Sequence, residues 1–135
     1  MFLLDTNVLS EATRPRPEPR VLAWMRRAVP DTLFVSALTV GELIKGLHQL
    51  ERRSAGRALH LRTWLDGLRA DYADRVLPID TAIAEAWGRL AAVRPRPVVD
   101  GLLAATALVH DLTLVTRNAR VIADAGVRVL DPWTG

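Results

Sequence analysis

The chain has no cysteine, which excludes disulfides, thiolate zinc sites and a cysteine nucleophile and fits a reducing compartment. Histidine is nearly as scarce: His48, His60 and His110 are scattered, and each reads as a surface or packed residue, not a metal ligand. No apolar run approaches the ~20 residues needed to cross a bilayer. The start, Met1-Phe2-Leu3-Leu4-Asp5, also lacks the basic and long apolar regions of a signal peptide, so a cytoplasmic protein without membrane contact is expected. Lysine is almost missing. Seventeen of the eighteen basic side chains are arginine, Lys45 being the exception, and the formal charge is only +3. The planar guanidinium fork suits bidentate contact with phosphate or carboxylate, so polyanions and acidic protein segments are plausible partners. Codon bias in a GC-rich genome explains any single exposed arginine at least as well. No internal repeat or low-complexity linker divides the 135 residues; half are apolar, enough for one domain, 1–135, with its own core.

What is present is an alternation of short β-rich runs with longer stretches of helical spacing, the pattern of βα units on a parallel sheet. Strands are expected at Phe2 to Leu4, Leu33 to Val35, Val76 to Ile79, Leu112 to Val115 and Val127 to Leu130. Between them Val21, Met25 and Val29, then Val40, Leu43, Ile44 and Leu47, then Leu61, Trp64, Leu65 and Leu68 recur as on one helix face, and Ile83, Trp87 and Leu90 continue the series. Ser36 and Asp80 stand between a strand and a helical run, where a short side-chain oxygen caps the helix's free N–H groups. Gly126 reads as a helix stop, and Pro95 and Pro97 break the chain before a new helix. Three prolines in Arg14-Pro15-Arg16-Pro17-Glu18-Pro19 favour an exposed, extended segment that could act as a flap.

In such a fold, ligands gather beyond the carboxyl ends of the strands. That edge collects Asp5, Thr6, Asn7, Ser36, Thr116, Arg117 and Asn118. Glu42 sits among apolar residues of the helix after Ser36, and Asp100 opens the small-residue helix Gly101-Leu102-Leu103-Ala104-Ala105. A carboxylate in either place needs a partner. Each acid also has a plainer explanation: an Asx turn for Asp5, a pair with Lys45 for Glu42, and the positive end of a helix for Asp100. Taken together, the three favour a shared site for Mg²⁺ or Mn²⁺, since hard cations take carboxylate oxygens.

Four blocks then carry a resemblance: Leu3-Leu4-Asp5-Thr6-Asn7-Val8-Leu9-Ser10-Glu11, Ser36-Ala37-Leu38-Thr39-Val40-Gly41-Glu42-Leu43, Asp100-Gly101-Leu102-Leu103-Ala104-Ala105-Thr106-Ala107 and Leu114-Val115-Thr116-Arg117-Asn118. Their order and spacing resemble PIN-domain ribonucleases, and the ending Val127-Arg128-Val129-Leu130-Asp131-Pro132-Trp133 resembles the VapC toxins, particularly their FitB-like branch. The resemblance implies a three-layer α/β/α fold with a central, mostly parallel sheet of about five strands and metal-dependent RNA hydrolysis without a protein nucleophile. It also implies self-association as a homodimer or higher toxin–antitoxin assembly, and inhibition by a VapB- or FitA-like antitoxin. Position by position, Asp5, Glu42 and Asp100 match the family's acidic metal-site residues, while Thr6, Asn7, Ser36 and Thr116 match the neighbouring polar positions. Asn118 departs from the acid that many members carry there, which should weaken a second cation more than the first and leaves a catalytically weakened RNA- or protein-binding module as the alternative. Arg14, Arg16, Arg20 and the Lys45 to Arg57 stretch are candidates for phosphate contact. Asp124 reads as a solvated surface acid, Trp64 and Trp87 as core, and Trp133 as the tryptophan freest to stack on a base.

Overall fold

The computed structural model describes residues 1–134. Five parallel strands form one sheet in the order β3-β2-β1-β4-β5. They are β1 (Phe2–Leu4), β2 (Leu33–Ser36), β3 (Val76–Leu77), β4 (Thr113–Val115) and β5 (Val129–Leu130). The helices are α1 (Thr6–Ser10), α2 (Pro19–Arg27), α3 (Ala37–Glu51), α4 (Ala55–Asp71), α5 (Thr81–Val93) and α6 (Val98–Val109). Strand order therefore reverses at β1, whose neighbours on either side are β2 and β4.

Alternation along β1 builds both faces of the sheet. Leu4 packs with Val8, Val35, Leu43, Leu47 and Leu65 on the side of α1, α3 and α4, whereas Leu3 meets Leu103, Ala104, Ala107 and Leu114 beneath α6. Both leucines are fully buried. Helices on both faces give the three layers expected from the family resemblance. Among the described residues, no helix is long and apolar enough to cross a membrane.

Local chemistry sets the helix starts. Ser36 Oγ accepts from the Leu38 N–H at 3.1 Å, and Asp80 Oδ1 accepts from the Ile83 N–H at 3.0 Å, so both act as the caps their positions suggest. Pro97 immediately precedes α6.

Elsewhere the structure corrects the sequence. The strands expected to run through Ile79 and from Leu112 and Val127 are shorter, covering Val76–Leu77, Thr113–Val115 and Val129–Leu130. α2 ends at Arg27, before Val29, because Pro30 follows it closely and opens a 3₁₀ turn. Gly126 does have the left-handed φ of +79°, but the chain before it is a 3₁₀ turn at Ala119–Val121 followed by turns, not an α-helix. The proline-rich segment is exposed through Arg16 but tied at both ends, since buried Glu11 pairs with Arg14 at 3.4 Å and accepts from the Glu18 N–H at 2.8 Å.

Candidate active site

β1 and β4 lie side by side where the strand order reverses, and their carboxyl ends deliver Asp5 and Thr116 to the same point. The Asp5 N–H donates to Val115 O at 3.0 Å, which fixes the register, and the Thr116 hydroxyl donates to Asp5 Oδ2 at 2.7 Å. Asp5 is 5 % exposed and Thr116 2 %. Asn118 closes the arrangement from the following loop by donating its backbone N–H to Thr116 Oγ1 at 3.0 Å.

Glu42 enters from α3 and Asp100 from the first turn of α6. The Thr6 hydroxyl donates to Glu42 Oε1 at 2.6 Å, so α1 orients this second acid as Thr116 orients the first. Burial pushes the Asp5 carboxyl above the ordinary aspartate range; the Thr116 hydroxyl and Thr6 backbone N–H pull it down, and the charges of Asp100 and Glu42 push it further up. Burial likewise raises Asp100, against the stabilising Asn118 amide beside it and with Glu42 adding to the rise. The three acids are thus near enough to repel one another, although they come from three separate elements.

None of them is used in the plainer way the sequence allowed for Asp5 and Glu42. Asp5 precedes α1 without a side-chain cap bond, and among the described residues neither Glu42 nor Lys45 takes part in an ion pair. Asp100 does stand in the first turn of its helix, where the N–H groups favour its charge. Of the supporting positions, Thr6, Thr116 and Asn118 touch the acids directly or through one bond. Ser36 is fully buried and holds the start of α3, and Asn7 is exposed, making no side-chain hydrogen bond among the described residues.

The donors here are carboxylate and hydroxyl oxygens, which suit a hard divalent cation. As they stand, the carboxylates do not close on one point: among the described residues, no group of three or more His, Asp or Glu side chains is near enough to hold one ion. Three like charges have no reason to converge without a counter-charge between them. Among the described residues neither buried Asp5 nor half-buried Asp100 has a basic partner, so a cation is the neutralising group this chemistry lacks.

The sequence placed Asn118 on the polar edge and marked it as a missing charge; its side chain faces Asp100 and its backbone serves Thr116. Trp133 is buried, with the Arg117 guanidinium 5.3 Å from its ring centre, and is not free to stack on a base. Asp124 is the exposed acid expected, and it is paired with Arg94 and Arg96 at 2.9 and 3.2 Å. Glu11, which closes the first motif block, was given no role from the sequence, yet its carboxylate is buried.

Residues 2–127 match the family model described as PIN domain. The chain is 36 % identical over 138 residues to Toxin FitB of Neisseria gonorrhoeae, covering 98 % of this chain and 99 % of that protein. It is 34 % identical to a VapC ribonuclease of Sinorhizobium fredii, covering 98 % of each. Among solved structures, FitAcB from Neisseria gonorrhoeae superposes with a TM-score of 0.92 at 35 % identity, over 98 % of this chain and 99 % of that one.

Proposed function

The chain belongs to the PIN-domain family, and on that premise we propose that it is the toxin of a type II toxin–antitoxin pair, a divalent-cation-dependent ribonuclease that hydrolyses RNA phosphodiester bonds. The observation that carries this reading is the approach of Asp100 and Glu42 to buried Asp5 beside the carboxyl ends of β1 and β4, close enough for their charges to act on it, without a basic partner among the described residues.

Asp5 and Asp100 are assigned to hold the cation, Mg²⁺ or Mn²⁺ by the hardness of their oxygens. With Oδ2 engaged by Thr116, Asp5 keeps Oδ1 for the ion. Glu42 has Oε1 engaged by Thr6 and keeps Oε2 either to complete the coordination or to take a proton from the attacking water. Bound there, the cation supplies water activation and neutralises charge that develops on the phosphate and leaving oxygen. No side chain needs to act as nucleophile.

The relatives support two partners. Toxin FitB and a VapC ribonuclease are named for the toxin and the ribonuclease roles, and the solved FitAcB structure points to an antitoxin of the FitA or VapB kind for this chain. Self-association accompanies that reading.

Purified protein freed of antitoxin is expected to cut structured RNA with Mg²⁺ or Mn²⁺ and to stop with EDTA. Asp5→Asn should lose cleavage while keeping its circular dichroism spectrum. RNA left whole under every metal condition would favour a binding module instead.

A further inference from the structure

A groove of about 750 Å³ opens from Thr6 and Glu42 and continues along α3 past Lys45 and Gln49 to a wall formed by Ile79 and Val99. Glu42, Lys45 and Gln49 stand at i, i+3 and i+7 and so share one stripe of the helix. At 1.5 Å per residue, that stripe carries polar groups about 10 Å along the axis from the acid. Lys45 is exposed and, among the described residues, is not engaged by any carboxylate. A flexible ammonium beside a cluster of phosphate-hydrolysing acids is a point-charge contact for a neighbouring phosphate. The apolar wall across from it matches the flat face of a base better than it matches charge.

We propose that this groove seats the RNA strand on one side of the cleaved phosphate, with Lys45 holding the adjacent phosphate and the Ile79 and Val99 wall carrying a base. The inference rests on the ribonuclease reading and adds a substrate track to it. It makes Lys45 a substrate-positioning residue.

Gly46 gives a probe of the groove that does not disturb the fold, because it lines the groove and a Cβ there meets nothing within 4 Å. Gly67 on α4 has the same freedom outside the groove and serves as its control. Lys45→Ala is expected to raise KM for RNA about tenfold with kcat little changed, and Lys45→Arg to restore most of it. On the Asp5→Asn protein, which keeps RNA intact, Lys45→Ala should lower the slope of log affinity against log salt by about 1. Gly46→Leu should cut cleavage about tenfold with its unfolding midpoint held or raised, while Gly67→Leu cleaves as the wild type does. An unchanged salt slope together with full activity in Gly46→Leu would overturn the groove while leaving the ribonuclease intact. A wild-type protein inert toward RNA with either metal would overturn both.

Discussion

The Thr116 hydroxyl has one proton, and Asn118 decides where it points: the Asn118 N–H occupies Oγ1 as acceptor, leaving the hydroxyl hydrogen for Asp5 Oδ2. Thr116→Val keeps the shape and removes the donor from a buried carboxylate. That change should cost about 1–3 kcal/mol in denaturant unfolding. Cleavage should fall by about 10–100-fold, as when a partner orienting a metal ligand is lost, and Thr116→Ser should recover most of it. At this scale the sequence was legible for Asp5 and Thr116, because strand ends of a parallel sheet converge and both residues follow short apolar runs. The side-chain role of Asn118 was not, since it depends on how the loop after β4 folds back toward α6. A missing charge is visible in a string of residues; an approach to an acid eighteen positions earlier is not.

Between α5 and α6 the contact is close because Gly101 has no side chain. A Cβ there would lie 3.1 and 3.2 Å from two atoms of the Trp87 indole, in the region where Ile83, Ala86 and Ala105 are packed. Gly101→Ala gains helix propensity but crowds that ring, so a net loss of about 1 kcal/mol is expected from thermal unfolding, with weaker cleavage because Asp100 is next in the chain. The loop after β4 is pinned by another device: Asp124 accepts from Arg94 and Arg96, the latter with a side chain only 2 % exposed. Arg94 first, and Arg96 with it, hold the Asp124 carboxyl below the usual range. A depressed folded pKa contributes stability above the unfolded value of about 3.9 and loses it as pH falls through the folded value. Asp124→Asn should therefore melt lower than the wild type at pH 7, with the two curves converging below about pH 4. The period-2 and helical patterns made the elements readable, as did the Ser36 and Asp80 caps. Gly126 misled because a left-handed glycine ends many kinds of turn, and the preceding residues satisfy their N–H groups in 3₁₀ fashion.

For the whole molecule, the site opposes stability until its charge is answered. Asp5 and Asp100 both have raised carboxyl pKa values, so their contribution to stability is fully present below the unfolded-state pKa and is lost as pH rises through the folded one. Asp5→Asn should consequently raise the melting temperature at neutral pH and give no such gain in acid. Mn²⁺ added at about 100 times its Kd should stabilise the wild type by about 2.7 kcal/mol, and the Asp5→Asn protein far less, as read by the shift in Tm. A three-layer fold was legible because four motif blocks follow one another in order along the chain, and the same blocks named acids that the fold brings near one another without closing them on one point. The groove beside α3 was not, since it is made of space between α3, the end of β3 and α6 and no residue type announces a space. The strand order carries one more consequence. Residue 5 is made first, yet its two acidic neighbours and the threonine that aims it stand at 42, 100 and 116, on α3, α6 and the end of β4. A chain still being synthesised, folding from its amino end, holds only fragments of the proposed cutting centre until β4 has emerged and paired with β1. Any cleavage from that centre therefore waits on residues 113–116, long after Asp5 has been added to the chain.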